Sequence, residues 1–201
     1  MTTITEFSQL DLNKSYSYAD YLTWKFSERV EIIKGKVMLM APAPNLKHQD
    51  ISGELSYQIA HYLRHKNCKL FVAPFDVKLY DSKKQHLTDD DAYTVVQPDL
   101  SVICDKNKLT TQGCDGAPDW IIEIVSKGNA KKDLLLKYEL YQENGVSEYW
   151  LVYPYEEAIH QFILNPETQR YQLHQIYAQD GFISPCLFPD LKIDLTEVFT
   201  E

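Results

Sequence analysis

Residues 119–126 read DWIIEIVS, and the reading of this stretch decides the fold. Trp120, Ile121, Ile122, Ile124 and Val125 make a short, nearly continuous apolar run, which predicts a strand buried on both faces. Glu123 lies inside it. An ionised carboxylate desolvated there without a partner costs on the order of several kcal/mol. Glu123 therefore requires a cation, a set of donors or a proton.

The neighbouring segments supply candidates. Upstream, VVQPDLSVIC (95–104) reads as a strand in which Asp99 shares one face with Gln97 and Ser101, while Pro98, Leu100 and Val102 point the other way. Pro98 has no N–H for a ladder, so the sheet is disturbed beside Asp99. Downstream, a helix is predicted over 131–144, ended by Asn144-Gly145. With Leu134 at zero on a wheel of ~100° per residue, Leu135, Tyr138, Leu140 and Tyr141 form an apolar arc. Lys137 falls inside that arc, whereas Lys132, Glu139 and Glu143 lie opposite. Its stem can be buried and its ammonium extended towards the carboxylates. An i,i+4 pair with Asp133 is the alternative. EYWLVYP (148–154) then reads as a strand, and a helix between two strands implies a parallel crossover.

Working outward, Ser17 caps a helix over 18–30. EIIKGKVMLM (31–40) folds as a hairpin about Lys34-Gly35, and the prolines of APAPN (41–45) keep the next segment out of regular pairing. Ile51, Leu55, Ile59, Tyr62 and Leu63 give a helix over 46–65 one apolar face, which His48 shares. LFVAPFDVKLY (70–80) reads as one strand, with Asp76 its odd polar member; it either lines a pocket or bonds a nearby turn. A polar loop, SKKQHLTDDDAY, follows. Residues 158–178 form a hairpin about NPETQ, and FPDLKIDLTEVF closes the sheet edge. The three strands before the crossover suggest a meander. The result is an α/β (α+β) fold: a mixed central sheet flanked by helices, with extra β-hairpins at both ends. At 201 residues one domain is expected over 1–201. Its core spans about 46–154, with an N-terminal helix and hairpin at 18–40 and a C-terminal β extension at 158–201.

The formal net charge is −9. That argues against tight, sequence-independent nucleic-acid binding by a lone copy, but a bound divalent cation reverses the local sign at a carboxylate site. Cys68, Cys104, Cys114 and Cys186 include no zinc-like spacing; reduced thiols in a cytoplasm are expected, with Cys104 a small core residue. The first residues carry no basic region followed by an apolar stretch, so no signal peptide is expected. No apolar run approaches the ~20 residues that span a bilayer.

Two carboxylates on neighbouring strands can share one Mg²⁺ with waters and phosphate oxygens. Each can instead be satisfied by backbone amides or a basic side chain. With Lys137 the set suggests a site.

These residues carry a resemblance. Pro98-Asp99 followed by Glu123 on the next strand resembles the PD-(D/E)XK nucleases. EIIKG (31–35), APAPNLKHQ (41–49), APFDVKL (73–79), QPDLSVICD (97–105), GAPDWIIEIVS (116–126), DLLLKYELY (133–141) and GVSEYWLVYP (145–154) together resemble the Uma-two family of restriction-endonuclease-like proteins, in the family's order. The resemblance implies a restriction-endonuclease-like fold, with Asp99 and Glu123 as metal ligands and Lys137 as the catalytic lysine. The usual lysine two residues after the glutamate is Val125 here; Lys127 is the other candidate. Glu31 matches a family acid, although Lys34 replaces an aspartate in that motif. His48 matches the histidine of the loop-to-helix segment; a satisfied core histidine is the alternative.

The expected function is a Mg²⁺- or Mn²⁺-dependent endonuclease hydrolysing DNA phosphodiester bonds. Asp99, Glu123 and Lys137 are the catalytic set, with Glu31, His48 and Asp76 in the pocket. A homodimer would let two sites cut two strands. A nuclease-fold binding module that no longer cuts is the alternative, and a metal phosphoesterase for a small substrate is a third reading.

Overall fold

The computed structural model describes residues 3–40, 44–80, 88–126 and 132–200, with the backbone alone of 132–134. Strand β1 (Val30–Ile33) pairs antiparallel with β2 (Lys36–Leu39), with Ile33 opposite Lys36. The two residues between them, Lys34 and Gly35, have φ of 51° and 78°, the paired positive values of a tight hairpin turn. A Cβ on Gly35 would lie 1.9 Å from Ser15 Oγ, so glycine is required there twice over.

Ser17 does cap a helix, its side chain accepting from the Asp20 N–H, but α1 covers only Tyr18–Tyr21. The expected helix over 18–30 is cut short. Thr23 Oγ1 takes the Asp20 carbonyl at 2.7 Å, and Trp24 stacks on Phe26. The two-residue spacing of Trp24 and Phe26 does not put their rings on one helix face. By contrast α2 (Leu46–Leu63) forms as expected, capped by Asn45 and burying Ile51, Leu55, Ile59 and Leu63.

The two long strands expected at 70–80 and 95–104 are four short ones. The first becomes β3 (Lys69–Val72) and β4 (Val77–Leu79); the second becomes β5 (Thr94–Val96) and β6 (Leu100–Ile103). Pro74 and Pro98, lacking an N–H, stand at the breaks, and the halves join different sheets. Asp99 consequently sits in a bend, not in mid-strand. β5 lies between β1 and β4, and β4 also pairs in parallel with the two-residue β7 (Cys114–Asp115), completing a five-stranded sheet. Gly113 permits that approach: a Cβ there would meet the Asp76 carbonyl oxygen at 2.2 Å.

β3 and β6 remain with β8 (Trp120–Ile124) in the six-stranded sheet, each antiparallel to the next. A π-helical turn (Lys132–Lys137) leads into α3 (Tyr138–Glu143), and this crossover places β9 (Glu148–Tyr153) parallel to β8. β10 (Ala158–Asn165) and β11 (Arg170–Ala178) form the expected hairpin at the sheet edge. The tail does not extend that edge. β12 (Phe182–Ile183) and β13 (Ile193–Asp194) pair only with each other, and α4 (Leu195–Phe199) packs on α2.

Alternation along the strands gives the sheet two buried faces. Val102, Trp120, Ile122, Ile124 and Trp150 pack against α2 and α4. Ile103, Ile121, Val125, Tyr149 and Leu151 pack against α3 and the five-stranded sheet. Glu123 alternates with the second set.

Two further expectations are corrected. Leu135, placed on the apolar arc of its helix, is 53% exposed. The wheel assumed α-helical spacing, and a π-helical turn advances each residue by a smaller angle. Cys68 and Cys104, expected as reduced thiols, form a disulfide. The register pairing Lys69 with Ile103 sets these two cysteines opposite each other one step further along. Among the described residues no helix is long and apolar enough to cross a membrane.

Candidate functional site

The buried carboxylate in β8 is satisfied by a cation and a hydroxyl. Lys137 Nζ lies 2.8 Å from Glu123 Oε1, and the same ammonium lies 3.0 Å from Glu31 Oε1 on β1. Tyr141, one turn beyond Lys137 on the same helix side, donates its hydroxyl to Glu123 Oε1 at 2.6 Å. Glu31, Glu123, Lys137 and Tyr141 are all buried. Burial first, and then the carboxylates of Glu123 and Glu31, push the Tyr141 hydroxyl well above the usual tyrosine range, so it keeps its proton and remains a donor. Lys137 stands where the π-helical turn gives way to α3. The two carboxylates described above come from β1 and β8. The Asp133 side chain and Lys127 lie outside the described residues.

Asp99 approaches from the end of β6. The register that pairs Leu100 with Ile122 sets Asp99 against Glu123 one step beyond the last ladder pair. The chain turns away at Pro98, and Asp99 Oδ2 takes over the role of acceptor for the Ile124 N–H at 2.8 Å. His48 Nε2 lies 3.3 Å from the same oxygen. Asn45 fixes the histidine's backbone by accepting its N–H at the start of α2. The other ring nitrogen of His48, Nδ1, is buried with no hydrogen-bond partner among the described residues. The site opens at Asp99, whose side chain is 22% exposed, against 11% for His48 and 6% for Glu123 and Lys137.

Asp76 is set back from these groups. Its Oδ1 accepts from Gln97 Nε2 at 2.8 Å and its Oδ2 from the Tyr18 hydroxyl at 2.9 Å. Gln97 reaches the site through its backbone, whose N–H donates to Glu31 Oε1 at 3.1 Å. The sequence reading missed Gln97 and Tyr141. Tyr141 was legible as the residue four after Lys137. Gln97 was noted only as polar company for Asp99.

The donor chemistry fits a hard divalent cation. Two buried carboxylates share the Lys137 ammonium, and a third, Asp99, stands at the end of the next strand, opposite Glu123 in the register. Both contacts of Asp99 fall on Oδ2, so Oδ1 remains for an ion. Among the described residues no three His, Cys, Asp or Glu side chains form a metal-ready group. An ion on Asp99 and Glu123 would therefore complete its shell with water and substrate oxygens, which is the habit of Mg²⁺.

No curated protein matches the chain. Among solved structures, it is similar to a "putative nuclease belonging to DUF820" from Anabaena variabilis, with a TM-score of 0.66 and 20% identity over 92% of this chain and 97% of that one. That likeness is one of fold. The model of the Uma2 family, described as "Putative restriction endonuclease", matches residues 18–196; the chain belongs to the Uma2 family.

Proposed function

We propose that this protein is a metal-dependent nuclease that hydrolyses phosphodiester bonds of DNA, with Asp99 and Glu123 holding Mg²⁺ or Mn²⁺. The observation that carries the reading is the buried ammonium of Lys137 between Glu31 and Glu123, beside the open carboxylate of Asp99. The family description and the fold shared with a nuclease support it. When bound, the cation would lower the pKa of a water and stabilise charge at the phosphate. Lys137 is a donor with no acceptor capacity, so it positions the two glutamates and places positive charge where the phosphorane gains negative charge. Tyr141 holds Glu123 in one orientation, and the Ile124 N–H does the same for Asp99. Hydrolysis forms one P–O bond to water and breaks one P–O bond to the leaving nucleotide, which takes up the proton the water gives away.

The deciding experiment is plasmid cleavage in Mn²⁺ by the wild type beside Glu123→Gln. Removing a group that acts in the transition state should cost at least roughly 100-fold in rate. Equal cleavage by both proteins means a contaminant or another active site.

A second reading has its own observation: with Val125 where the motif lysine usually stands, a nuclease-fold binding module that no longer cuts is favoured. Calorimetric titration with Mn²⁺ separates the two. Binding that disappears in Asp99→Ala supports the enzyme, and no binding by the wild type supports the module.

With the nuclease reading we also propose a cytoplasmic protein that works as a homodimer, so that two sites face two strands; light scattering on the purified protein tests the assembly. A reducing cytoplasm opposes the Cys68–Cys104 bond. β3 and β6 are also joined by four ladder positions beside it.

A further inference from the structure

We propose that Arg29 is a substrate-phosphate contact at the rim of this site, an assignment that rests on the nuclease reading. Arg29 lies two residues before Glu31, at the foot of β1, and residues at that spacing share a strand face. Glu31 is buried and Arg29 is exposed, so the chain runs from the pocket floor to its edge within two residues.

The guanidinium is held in place. One nitrogen, Nη2, donates to Gln97 Oε1 at 2.8 Å. The Gln97 amide cannot turn away without breaking its other bond, from Nε2 to Asp76 Oδ1 at 2.8 Å. Asp76 is held in turn by the hydroxyl of Tyr18, a residue 1% exposed. A relay of three hydrogen bonds thus runs from the interior to a surface arginine. Gln97 also touches the site itself, through its N–H to Glu31 Oε1.

The charge is not neutralised. Lys34 pairs with Glu143, Lys47 with Glu157 and Lys137 with Glu31 and Glu123. Among the described residues no carboxylate pairs with Arg29, although acids outnumber bases in this chain by 29 to 20. A guanidinium has five N–H donors in a planar fork that matches two phosphate oxygens. Gln97 occupies one of them and leaves the rest directed outward. An oriented, solvent-facing, uncompensated arginine beside an acidic pocket is suited to a phosphodiester anion flanking the bond to be cut. Asp76 and Gln97 then act as positioning residues for Arg29.

The test uses a short fluorescein-labelled DNA duplex, the full-length protein and Ca²⁺, with anisotropy read across a salt series. Arg29→Ala should weaken binding roughly 10- to 100-fold, the range of a hydrogen bond to a charged group. It should also flatten the slope of log Kd against log salt by about one ion. Arg29→Lys should keep the slope and recover part of the affinity. Wild-type affinity and slope in Arg29→Ala overturn the inference and leave the nuclease reading standing. Weaker binding with an unchanged slope also overturns it, because Arg29 then serves only to hold Gln97. No DNA binding by the wild type overturns it too, and the Glu123→Gln cleavage assay records separately whether the nuclease reading falls with it. Arg29→Ala takes the donor from Gln97 Oε1, a buried residue, so a thermal melt of each variant is read beside the anisotropy, and a loss of binding counts only at a temperature where the variant is folded.

Discussion

Among the described residues two lysines are buried, and each meets two carboxylates. Lys137 lies between Glu31 and Glu123, whose side chains are 2% and 6% exposed. Lys78 lies between Asp89 and Asp115, at 2.8 and 2.5 Å, but those side chains are 36% and 38% exposed. The ammonium of Lys78 also sits 4.9 Å from the centre of the Tyr18 ring. Burial works against its charge, yet the hydrogen bonds to Asp115 and Asp89 leave its pKa raised. The difference is where the acids stand. Around Lys78 the lysine reaches out to acids whose side chains are more than a third exposed, although the Asp115 oxygen it meets is itself buried. Around Lys137 the acids have been brought inside to the lysine, and a third acid, Asp99, stands at the opening. The first arrangement ties β7 and the turn at Asp89 to β4. The second concentrates charge that solvation cannot relieve, which is the condition for binding a cation.

The largest effect should come from breaking the inner cluster. Lys137→Ala leaves two buried carboxylates without their cation. A buried pair broken on one side typically costs about 3–5 kcal/mol, and urea unfolding should show a loss of that size. Cleavage should fall by at least roughly 100-fold in the same variant. A stable Lys137→Ala protein with full activity would remove the distinction between the two lysines.

Glu148 sharpens the comparison, since it is a buried acid with no lysine. Its Oε1 accepts from Trp150 Nε1, Gln161 Nε2 and the Cys186 N–H, and its Oε2 from the Leu187 N–H. Neutral donors do here what an ammonium does for Glu123. Burial nevertheless outweighs those bonds and raises the carboxyl above its ordinary value of 4.5. Glu148→Gln turns one acceptor into a donor facing a donor, which should cost about 1–3 kcal/mol at neutral pH. The pH sign is fixed by the raised pKa. The folded state holds the proton more tightly, so that contribution to stability is complete below the ordinary carboxyl range and is lost as pH rises through the raised value. The stability gap between wild type and Glu148→Gln should therefore narrow as pH increases above 4.5. A gap that widens would mean the donors win.

Much of this was legible in the chain, and the illegible parts share a cause. The α2 face, the Lys34-Gly35 turn and the β8–α3–β9 crossover are set by near neighbours, so periodicity and turn chemistry reveal them. Glu123 announced a need for a partner because a carboxylate inside WIIEIV has few ways to be satisfied. The allocation of β4 and β5 to a second sheet was hidden. Pro74 and Pro98 mark the breaks, but which sheet each half joins depends on residues far away. The π-helical turn was hidden as well, so Leu135 was placed inside and is exposed. Lys137 kept its inward position because it stands where α-helical spacing resumes. That Glu31 would share Lys137 with Glu123 is a contact between β1 and α3 that no local pattern encodes.

The smallest effect should come from the outer lysine, and it is the control for the rest. Lys78→Met keeps an unbranched stem in the buried space and removes only the charge. The side chains of its two acids are more than a third exposed, so with screening the lost pairs are worth about 1 kcal/mol, even with Asp115 Oδ1 itself buried. Cleavage should be unchanged, because Lys78 touches none of Glu31, Asp99 or Glu123. The Tyr18 ring would lose a cation but keep its hydroxyl on Asp76, so the hold on Gln97 persists and DNA binding should persist with it. A loss as large as that of Lys137→Ala would show that burial of the ammonium alone sets the energy. The position of the acids would then not be what separates a structural lysine from one built into a site.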